Sequence, residues 1–379
     1  MFHYIFPGAR RKRVIVPDAV LGPDAQPYAL IGAVVDWTNA ARDRGFYAAG
    51  EIDEVAPQAY NADYYYAQVC NGGHAQFRHN SRMDPLTIAH ALTGLRAAGL
   101  EPLAACLAEL EAAGENADTT LCEALDSRFF AANDVYHAKM NAWLRPRVQI
   151  VPARAYDRRM AAFLKRDRRR ERRFQDRQAL RLQGLSESGD ILGFAWAAMK
   201  QNAIFDRVMP GRFVTALGRE TVLWGILTGP AGAQLRLEGI ALNGLVIVAP
   251  DLPSKPAFDD EDLRAAAKAG AYCSAKDIAM RTDLAGERKL GATVAFLIAE
   301  AKGVQAEDVS AIVPLPGRTD LPDGRIVASV TLRGGAFLVA TFLAEASVLS
   351  DTDGREIARL SAAEIARRHA ELETPPTRH

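Results

Sequence analysis

The residues best suited to chemistry lie between positions 70 and 90, where Cys70 is followed by three histidines, among them His74 and His79. Cys70 and His74 are four residues apart, a spacing that lets two metal ligands meet on one face of a helix. However, Gly72 and Gly73 lie between them, and paired glycines interrupt the helical spacing that would align the two side chains. A zinc site also needs further ligands, and the neighbouring sequence offers no recognised ligand spacing. We therefore predict that this segment contains no metal site and no catalytic residue.

The same segment carries the pattern of a bent helix. Two adjacent glycines cost a helix about 2 kcal/mol relative to alanines, so a bend is predicted at positions 72 and 73. Asn71 precedes them and suits the left-handed backbone conformation that such a bend needs. Gln76 and Asn80 are four residues apart and therefore share one face of the helix that follows. We predict that residues 71–81 form a kinked joint within a helical bundle and do not line a reactive pocket.

Helical periodicity extends on both sides of this joint. From residue 27 to residue 143 apolar side chains recur every three or four positions, and no alternating strand pattern persists. Separate helices are predicted over residues 85–98 and 100–113, and another is predicted to begin at a cap formed by Thr119 or Thr120. Short glycine-containing connections favour antiparallel neighbours. The region is therefore predicted to be a helical bundle.

Beyond residue 186 the periodicity changes to a mixture of strands and helices. The clearest signal is a β-hairpin, in which residues 326–332 and 336–342 flank the turn Gly334-Gly335. Helices are predicted over residues 259–269, 292–301 and 361–373. Because strands and helices do not alternate regularly, this part is predicted to be an α+β domain with an antiparallel sheet. It contains no phosphate-loop, Gly-x-Ser-x-Gly or His-Glu-x-x-His string.

The charge of the chain is balanced overall but not locally. The sequence has 46 Lys and Arg against 46 Asp and Glu. Zero net charge argues against a dedicated nucleic-acid binder that acts through bulk electrostatics. Residues 25–144 nevertheless hold 7 basic and 15 acidic groups, whereas residues 145–183 hold 14 basic and 4 acidic groups. An acidic module is thus followed by a dense basic block.

The basic block is free of glycine and proline between residues 153 and 183 and is rich in good helix formers, so it predicts a helix of about 25 residues. Three interpretations stay open: a solvated helix packed by one apolar stripe, a polyanion-binding surface, or a segment that neutralises the acidic module. The arginines that would contact a polyanion are Arg158, Arg159, Arg166, Arg169, Arg170 and Arg173.

The string Val69-x-Asn71-Gly72-Gly73-x-x-Gln76-Phe77-x-x-Asn80-Ser81 resembles the signature of the DNA-mimic protein nineteen family. The resemblance covers roughly residues 25–145 and implies an all-helical bacterial domain. It also implies a function, because the founding type is understood to imitate DNA phosphates with acidic side chains and so occupy a transcription regulator; related domains occur in proteins suspected of immunity roles. The family-motif residues, with a structural or binding role, are Asn71, Gly72, Gly73, Gln76, Phe77, Asn80 and Ser81.

Together these patterns predict an α+β protein with an N-terminal extension (1–24), an all-helical domain (25–150), a basic connector helix (151–185) and an α+β domain of unknown function (186–379). The predicted function is non-enzymatic interaction or regulation, of a DNA-mimic-like or immunity type, with another protein as partner and no cofactor. Four sparse cysteines without a Cys-x-x-Cys pair favour the cytoplasm, and no stretch approaches the roughly 20 apolar residues of a membrane span. Two alternatives stay open: an enzyme with a site between the two modules, and nucleic-acid binding through the basic connector. The oligomeric state is left open.

Overall fold

The helical periodicity of the first part of the chain is realised as a bundle. The computed structural model describes residues 11–114, 117–200, 204–214, 221–228, 234–242, 245–249, 272–273, 275–315, 325–333 and 336–373. Contacts divide the chain into two compact units, Met1–Glu171 and Arg172–His379. The helices of the first unit are α1 (Ala29–Asn39), α2 (Val55–Ser81), α3 (Pro85–Ala97), α4 (Glu101–Ala113), α5 (Thr119–Phe130), α6 (Tyr136–Leu144) and α7 (Ala153–Leu164).

The long helix α2 is the centre of this bundle. It packs against α1, α3 and α5, while α4 packs against both α3 and α5. Burial of large side chains stabilises such a core in proportion to the apolar area removed from water. The fully buried aromatic side chains of this core are Trp37, Tyr65, Phe77, Phe129 and Tyr136. The predicted helical character of this region is confirmed.

Two short strands accompany the bundle and were not expected from the sequence. β1 (Ile15–Pro17) and β2 (Gln149–Val151) pair in parallel. Three residues are too few to show a period of two, so the helical periodicity around them hides their signal. This pairing joins residues that precede the bundle to residues that follow it.

The helix caps differ from the prediction at α5. Neither Thr119 nor Thr120 caps this helix; instead, the Asp118 carboxylate accepts a hydrogen bond from the Leu121 N–H at 2.8 Å. In the same way, Asp84 caps α3 by accepting the Thr87 N–H at 2.8 Å. A carboxylate at a helix N-terminus satisfies free N–H groups and interacts favourably with the helix dipole.

The basic block forms two helices rather than the single helix predicted. After α7 the backbone is extended at Lys165 (ψ 114°), and α8 (Arg168–Glu187) then begins. The Asp167 carboxylate accepts the N–H groups of Arg169 and Arg170, both at 3.0 Å. Asp167 therefore supplies a helix start that helix propensity alone does not reveal. The boundary between the two compact units lies within α8.

The second unit contains the predicted antiparallel α+β architecture. Its described helices after α8 are α9 (Gly189–Lys200), α10 (Ala275–Glu287), α11 (Leu290–Glu300) and α12 (Ala362–Glu373). One five-stranded sheet has the order β3 (Ile204–Val214), β4 (Thr221–Thr228), β5 (Gln234–Leu242), β6 (Leu245–Ala249), β7 (Tyr272–Cys273). The other has the order β12 (Glu356–Ser361), β11 (Ala346–Ser350), β10 (Phe337–Phe342), β9 (Ile326–Leu332), β8 (Val309–Pro314). All described pairings in both sheets are antiparallel.

Strands β9 and β10 confirm the predicted hairpin, although the Gly334-Gly335 turn lies outside the described residues. The helix predicted over residues 259–269 also lies outside them. Ser361 caps α12, because its hydroxyl accepts the Glu364 N–H at 3.2 Å. His369, which has no motif partner in the sequence, contacts the Thr293 hydroxyl at 3.0 Å and the Phe296 ring.

The core of the second unit forms around α11, where every residue from 290 to 298 is buried. This helix approaches α8 very closely at Gly291. A Cβ atom at this position would lie 2.1 Å from the Leu182 carbonyl oxygen. Only a residue without a side chain permits such an approach between two backbones.

Candidate functional site

The predicted kink in α2 is confirmed at the two adjacent glycines. Gly72 has φ −167° and ψ 27°, and Gly73 has φ 74° and ψ −177°. The positive φ therefore lies at Gly73 and not at Asn71, where a left-handed conformation was predicted. A positive φ combined with ψ near 180° is essentially restricted to glycine, because a Cβ atom would clash with the backbone. The kink thus depends on this one glycine.

A carboxylate from α5 holds the chain immediately after the kink. The Asp126 Oδ1 atom accepts the backbone N–H of His74 at 2.8 Å and lies 2.6 Å from His74 Nδ1. The other ring nitrogen, Nε2, lies 2.8 Å from the Tyr65 hydroxyl. A carboxylate at this point satisfies an N–H group that the kink frees, as a cap does at a helix N-terminus. Asp126 therefore fixes both the backbone and the ring of His74.

Burial determines the protonation state of this network. His74 has no exposed surface, and burial lowers its pKa, although hydrogen bonding to Asp126 acts in the opposite direction. Burial also raises the pKa of Tyr65 well above its ordinary value. A neutral His74 that donates from Nδ1 to Asp126 accepts from the Tyr65 hydroxyl at Nε2, so all these groups are paired. Since Tyr65 and His74 are both fully buried, the network is suited to holding the joint together and not to reaching a substrate.

The arrangement predicts a pH dependence of stability that comes from His74. The unfolded chain, with an ordinary histidine pKa near 6.5, binds a proton more readily than the folded chain, in which the pKa of His74 is lowered. Stability is then fully present above pH 6.5 and falls as the pH drops below it, by up to about 1.4 kcal/mol per pH unit. Hydrogen exchange of the α2 amides between pH 5.5 and 7.5, corrected for intrinsic exchange rates, measures this change in the free energy of unfolding.

Two variants test the assignment of this pH dependence. His74→Gln is expected to be less stable at every pH but to lose the pH-dependent part, because the titrating group is gone. His79→Gln is the matched control, because His79 is exposed and lies on the same helix. Burial raises the pKa of Asp63, which acts in the opposite sense at lower pH, but this group is present in both variants. An equal slope in His74→Gln and in the unmodified chain would contradict the assignment.

The amide side chains of the motif meet on the outside of the kink. Gln76 donates to the Gln68 Oε1 atom at 3.1 Å, and Asn80 donates to the same oxygen at 2.6 Å. The predicted shared face of Gln76 and Asn80 is thus confirmed, and Gln68 is the common acceptor that sequence reasoning missed. Its position eight residues before Gln76 matches no helical contact, because the kink changes the direction of the chain between them.

The other motif residues divide between the core and the surface. Phe77 is fully buried and its ring packs against Tyr65 at 5.1 Å. Ser81 ends α2 by accepting the Met83 N–H at 3.1 Å, whereas Asn71 is exposed. Cys70 is exposed as well, but desolvation raises the pKa of its thiol. A raised pKa disfavours the reactive thiolate.

Helix α2 carries a buried carboxylate of its own at Asp63. Asp63 is 7% exposed, and its two oxygens accept the hydroxyl groups of Tyr28 at 2.8 Å and Tyr136 at 3.4 Å. The Tyr66 ring stacks on Tyr136 at 3.7 Å. Burial raises the pKa of Asp63, and the two tyrosine hydrogen bonds partly offset that effect. Among the residues that the structure describes, no three His, Cys, Asp or Glu side chains are grouped to hold a metal ion.

The six arginines named from the sequence do not form one exposed set. Arg158, Arg159 and Arg169 are exposed, Arg166 and Arg173 are half-buried, and Arg170 is 7% exposed. The Arg170 guanidinium donates to the carbonyl oxygens of Gly45, Phe163 and Lys165, and it lies 4.1 Å from the Tyr47 ring centre. Arg170 is therefore a structural residue that fixes the turn between α7 and α8.

Helices α4 and α5 both carry exposed acidic side chains, and we call this set the acidic face. Residues 97–127 contain seven acidic side chains and no Lys or Arg. The acidic face consists of the exposed Glu101, Glu109 and Glu111 of α4 and Glu123 of α5, with the partly exposed Asp126. Arg128 pairs with Glu109 at 2.5 Å. The sequence signal for this face is the absence of Lys and Arg from residues 97–127. Counting charges over the whole of residues 25–144 hides this signal, because it averages the run with basic residues elsewhere.

Comparisons with known proteins agree with the sequence motif over part of the chain. In the part of the chain that the structure describes, no helix is long and apolar enough to cross a membrane. No curated protein and no solved structure matches the chain. The family model described as DMP19-like protein matches residues 50–147, which contain α2 to α6 with the kink and the acidic face. The resemblance to the DNA-mimic protein nineteen family is therefore confirmed for this segment.

Proposed function

We propose that the helical unit is a non-enzymatic interaction domain that binds a basic surface of another protein through its acidic face. The observation that carries this proposal is that residues 97–127 contain seven acidic side chains and no Lys or Arg, with five of the acidic side chains on α4 and α5. A surface of one charge sign attracts partners of the opposite sign and accelerates their association. A DNA-binding protein presents such a basic surface, which agrees with a DNA-mimic type of function.

The buried network at the kink supports a binding role over a catalytic one. A general base must come within hydrogen-bond reach of the proton that it removes. His74 and Tyr65 are fully buried and bonded to each other and to Asp126. The bonds between Asp126 and His74 instead fix α5 against α2. This contact keeps the acidic face rigid and so lowers the entropy lost on binding.

Three of the five charges of the acidic face can be removed without breaking a bond that holds the bundle. Glu101→Gln, Glu111→Gln and Glu123→Gln remove three exposed charges, whereas Glu109 and Asp126 are retained because they bond Arg128 and His74. The tagged full chain is used to isolate partners from its source cells at 150 mM salt. We expect a basic DNA-binding protein to be recovered, to be released by duplex DNA, and to bind the triple variant at least about tenfold more weakly.

The matched control removes the same number of charges elsewhere in the unit. Asp24→Asn, Asp36→Asn and Asp134→Asn are exposed positions outside α4 and α5. This control is expected to bind the partner within about threefold of the unmodified chain, since distant charges are screened at this salt. Equal losses in both triple variants, or a partner that duplex DNA does not displace, would refute the proposal.

A further inference from the structure

Six basic side chains on α7, on the turn that follows it and on the first turn of α8 are exposed and make no ion pair among the described residues. They form what we call the α7 patch: Arg154, Arg158, Arg159, Lys165, Arg168 and Arg169. Their neighbours Arg166 and Arg170 pair with Glu171 and Asp167. Asp157 is the exposed acidic side chain on α7 itself. The local acidic groups are thus largely taken by other arginines, and the charge of the α7 patch is left uncompensated.

The α7 patch is held on a rigid base. The opposite side of α7 packs onto the core of the unit through Phe163, whose ring stacks between Trp37 at 4.7 Å and Tyr47 at 4.6 Å. The Tyr47 hydroxyl donates to the Phe163 carbonyl at 2.8 Å, and buried Arg170 fixes the turn to α8. Arg154 and Arg158 lie one helical turn apart, about 6 Å along the axis. The cations are therefore presented in a fixed array.

The chemistry of this array fits a phosphate backbone better than other anionic partners. Five of the six side chains are arginines, whose guanidinium groups bind phosphate oxygens through two parallel hydrogen bonds. The apolar side of α7 is already buried in the unit, so it is not free to enter a membrane. Between residues 153 and 169 the aromatic side chains are Tyr156, which is half-buried, and Phe163, which is buried, so the α7 patch offers no open aromatic surface for stacking unpaired bases.

We propose that the α7 patch binds the phosphate backbone of duplex nucleic acid without reading its sequence. The charged array and the absence of exposed aromatic side chains across residues 153–169 together favour this mode, in which contacts to phosphate supply the affinity. This site is distinct from the acidic face, which would repel nucleic acid. The chain would then combine a nucleic-acid-binding surface with a surface for a basic protein.

Fluorescence anisotropy of the full chain with a labelled 25-base-pair duplex of random sequence tests the proposal between 50 and 300 mM NaCl. The triple variant Arg154→Gln, Arg158→Gln, Lys165→Gln removes three exposed cations that make no ion pair within the described part of the chain. It is expected to bind at least about tenfold more weakly at 100 mM salt, and the slope of log affinity against log salt should fall by about 3. Circular dichroism verifies that the variant stays folded.

The matched control is Arg44→Gln, Arg96→Gln, Arg145→Gln, which removes three exposed arginines from elsewhere in the same unit. It is expected to lower affinity less than about threefold, because these charges lie outside the α7 patch. The acidic-face variant should bind the duplex as well as the unmodified chain or better. A failure of the duplex experiment therefore leaves the proposed protein partner untouched, and the reverse also holds.

Several outcomes would overturn the inference. These are no binding of the duplex at 50 mM salt, equal losses in both triple variants, and an affinity that does not change with salt. Tighter binding to vesicles that contain 30% phosphatidylserine than to the duplex would assign the α7 patch to a membrane surface instead. A clear preference for single-stranded DNA of the same length would contradict a site without stacking residues.

Discussion

Replacing Gly73 with alanine is expected to destabilise the helical unit by about 3 kcal/mol, since strain and lost hydrogen bonds add together. The backbone at Gly73, with φ 74° and ψ −177°, is one that alanine adopts only at a cost of about 1–3 kcal/mol. The new Cβ atom would also lie 2.3 Å from the Asp126 Oδ2 atom. Asp126 cannot move aside without breaking its bonds to His74. Hydrogen exchange of α2 and α5 peptides in the full chain measures the loss, with peptides from the second unit as internal reference.

The neighbouring glycine provides the control for this prediction. Gly72→Ala is expected to cost less than about 1 kcal/mol, as most surface substitutions do. Its φ of −167° lies outside the left-handed region that favours glycine. The added Cβ would lie 2.1 Å from the Gln76 Oε1 atom, so the flexible Gln76 amide must rotate away and give up its bond to Gln68 on the partly exposed surface. If both alanine variants lost equal protection, the kink would not depend on the positive φ of Gly73.

Removing the Asp126 carboxylate is expected to have an effect of similar size. In Asp126→Ala the backbone N–H and the ring nitrogen of His74 both lose their acceptor, and unpaired buried donors cost about 1–3 kcal/mol each. We expect the free energy of unfolding of the helical unit to fall by about 3 kcal/mol. Asp126→Asn keeps an oxygen in place and should lose less than half as much. The same exchange peptides report both values.

A nearby acidic residue shows whether this loss comes from charge or from the two specific bonds. Glu123→Ala changes an exposed carboxylate on the same helix, and its effect is expected to stay within about 0.5 kcal/mol. Equal effects of Asp126→Ala and Glu123→Ala would mean that the bonds to His74 do not hold the joint. A His74 ring signal that titrates identically in the Asp126→Asn variant would lead to the same conclusion.

What the sequence predicts here depends on how far apart the interacting residues are. The kink follows from two adjacent glycines, and the common face of Gln76 and Asn80 follows from a spacing of four, so both are local properties. Asp126 lies 52 residues from His74, and no spacing rule connects them. Tyr65 lies on the other side of the kink from His74, where helical periodicity no longer applies.

The basic block shows the same limit in another form. Its composition correctly predicts helix, yet the break at residues 165–167 depends on Asp167, whose carboxylate begins α8. Charge counting also could not separate Arg170, buried against Tyr47, from exposed Arg158 and Arg169. The two arginine classes differ in tertiary surroundings and not in sequence pattern. The acidic face was within reach of the sequence, but only by searching for a long run without cations.

Asp126 both bonds His74 at the kink and belongs to the acidic face, and these two roles limit which substitutions this position can accept. Glu101, Glu111 and Glu123 are exposed, so substitutions at these positions leave the packing of the bundle intact. Asp126 differs, because any replacement that retunes the surface also loosens the helix behind it. Under the proposed function, recognition of new partners would therefore change around a fixed anion, with the variable charges arranged beside it.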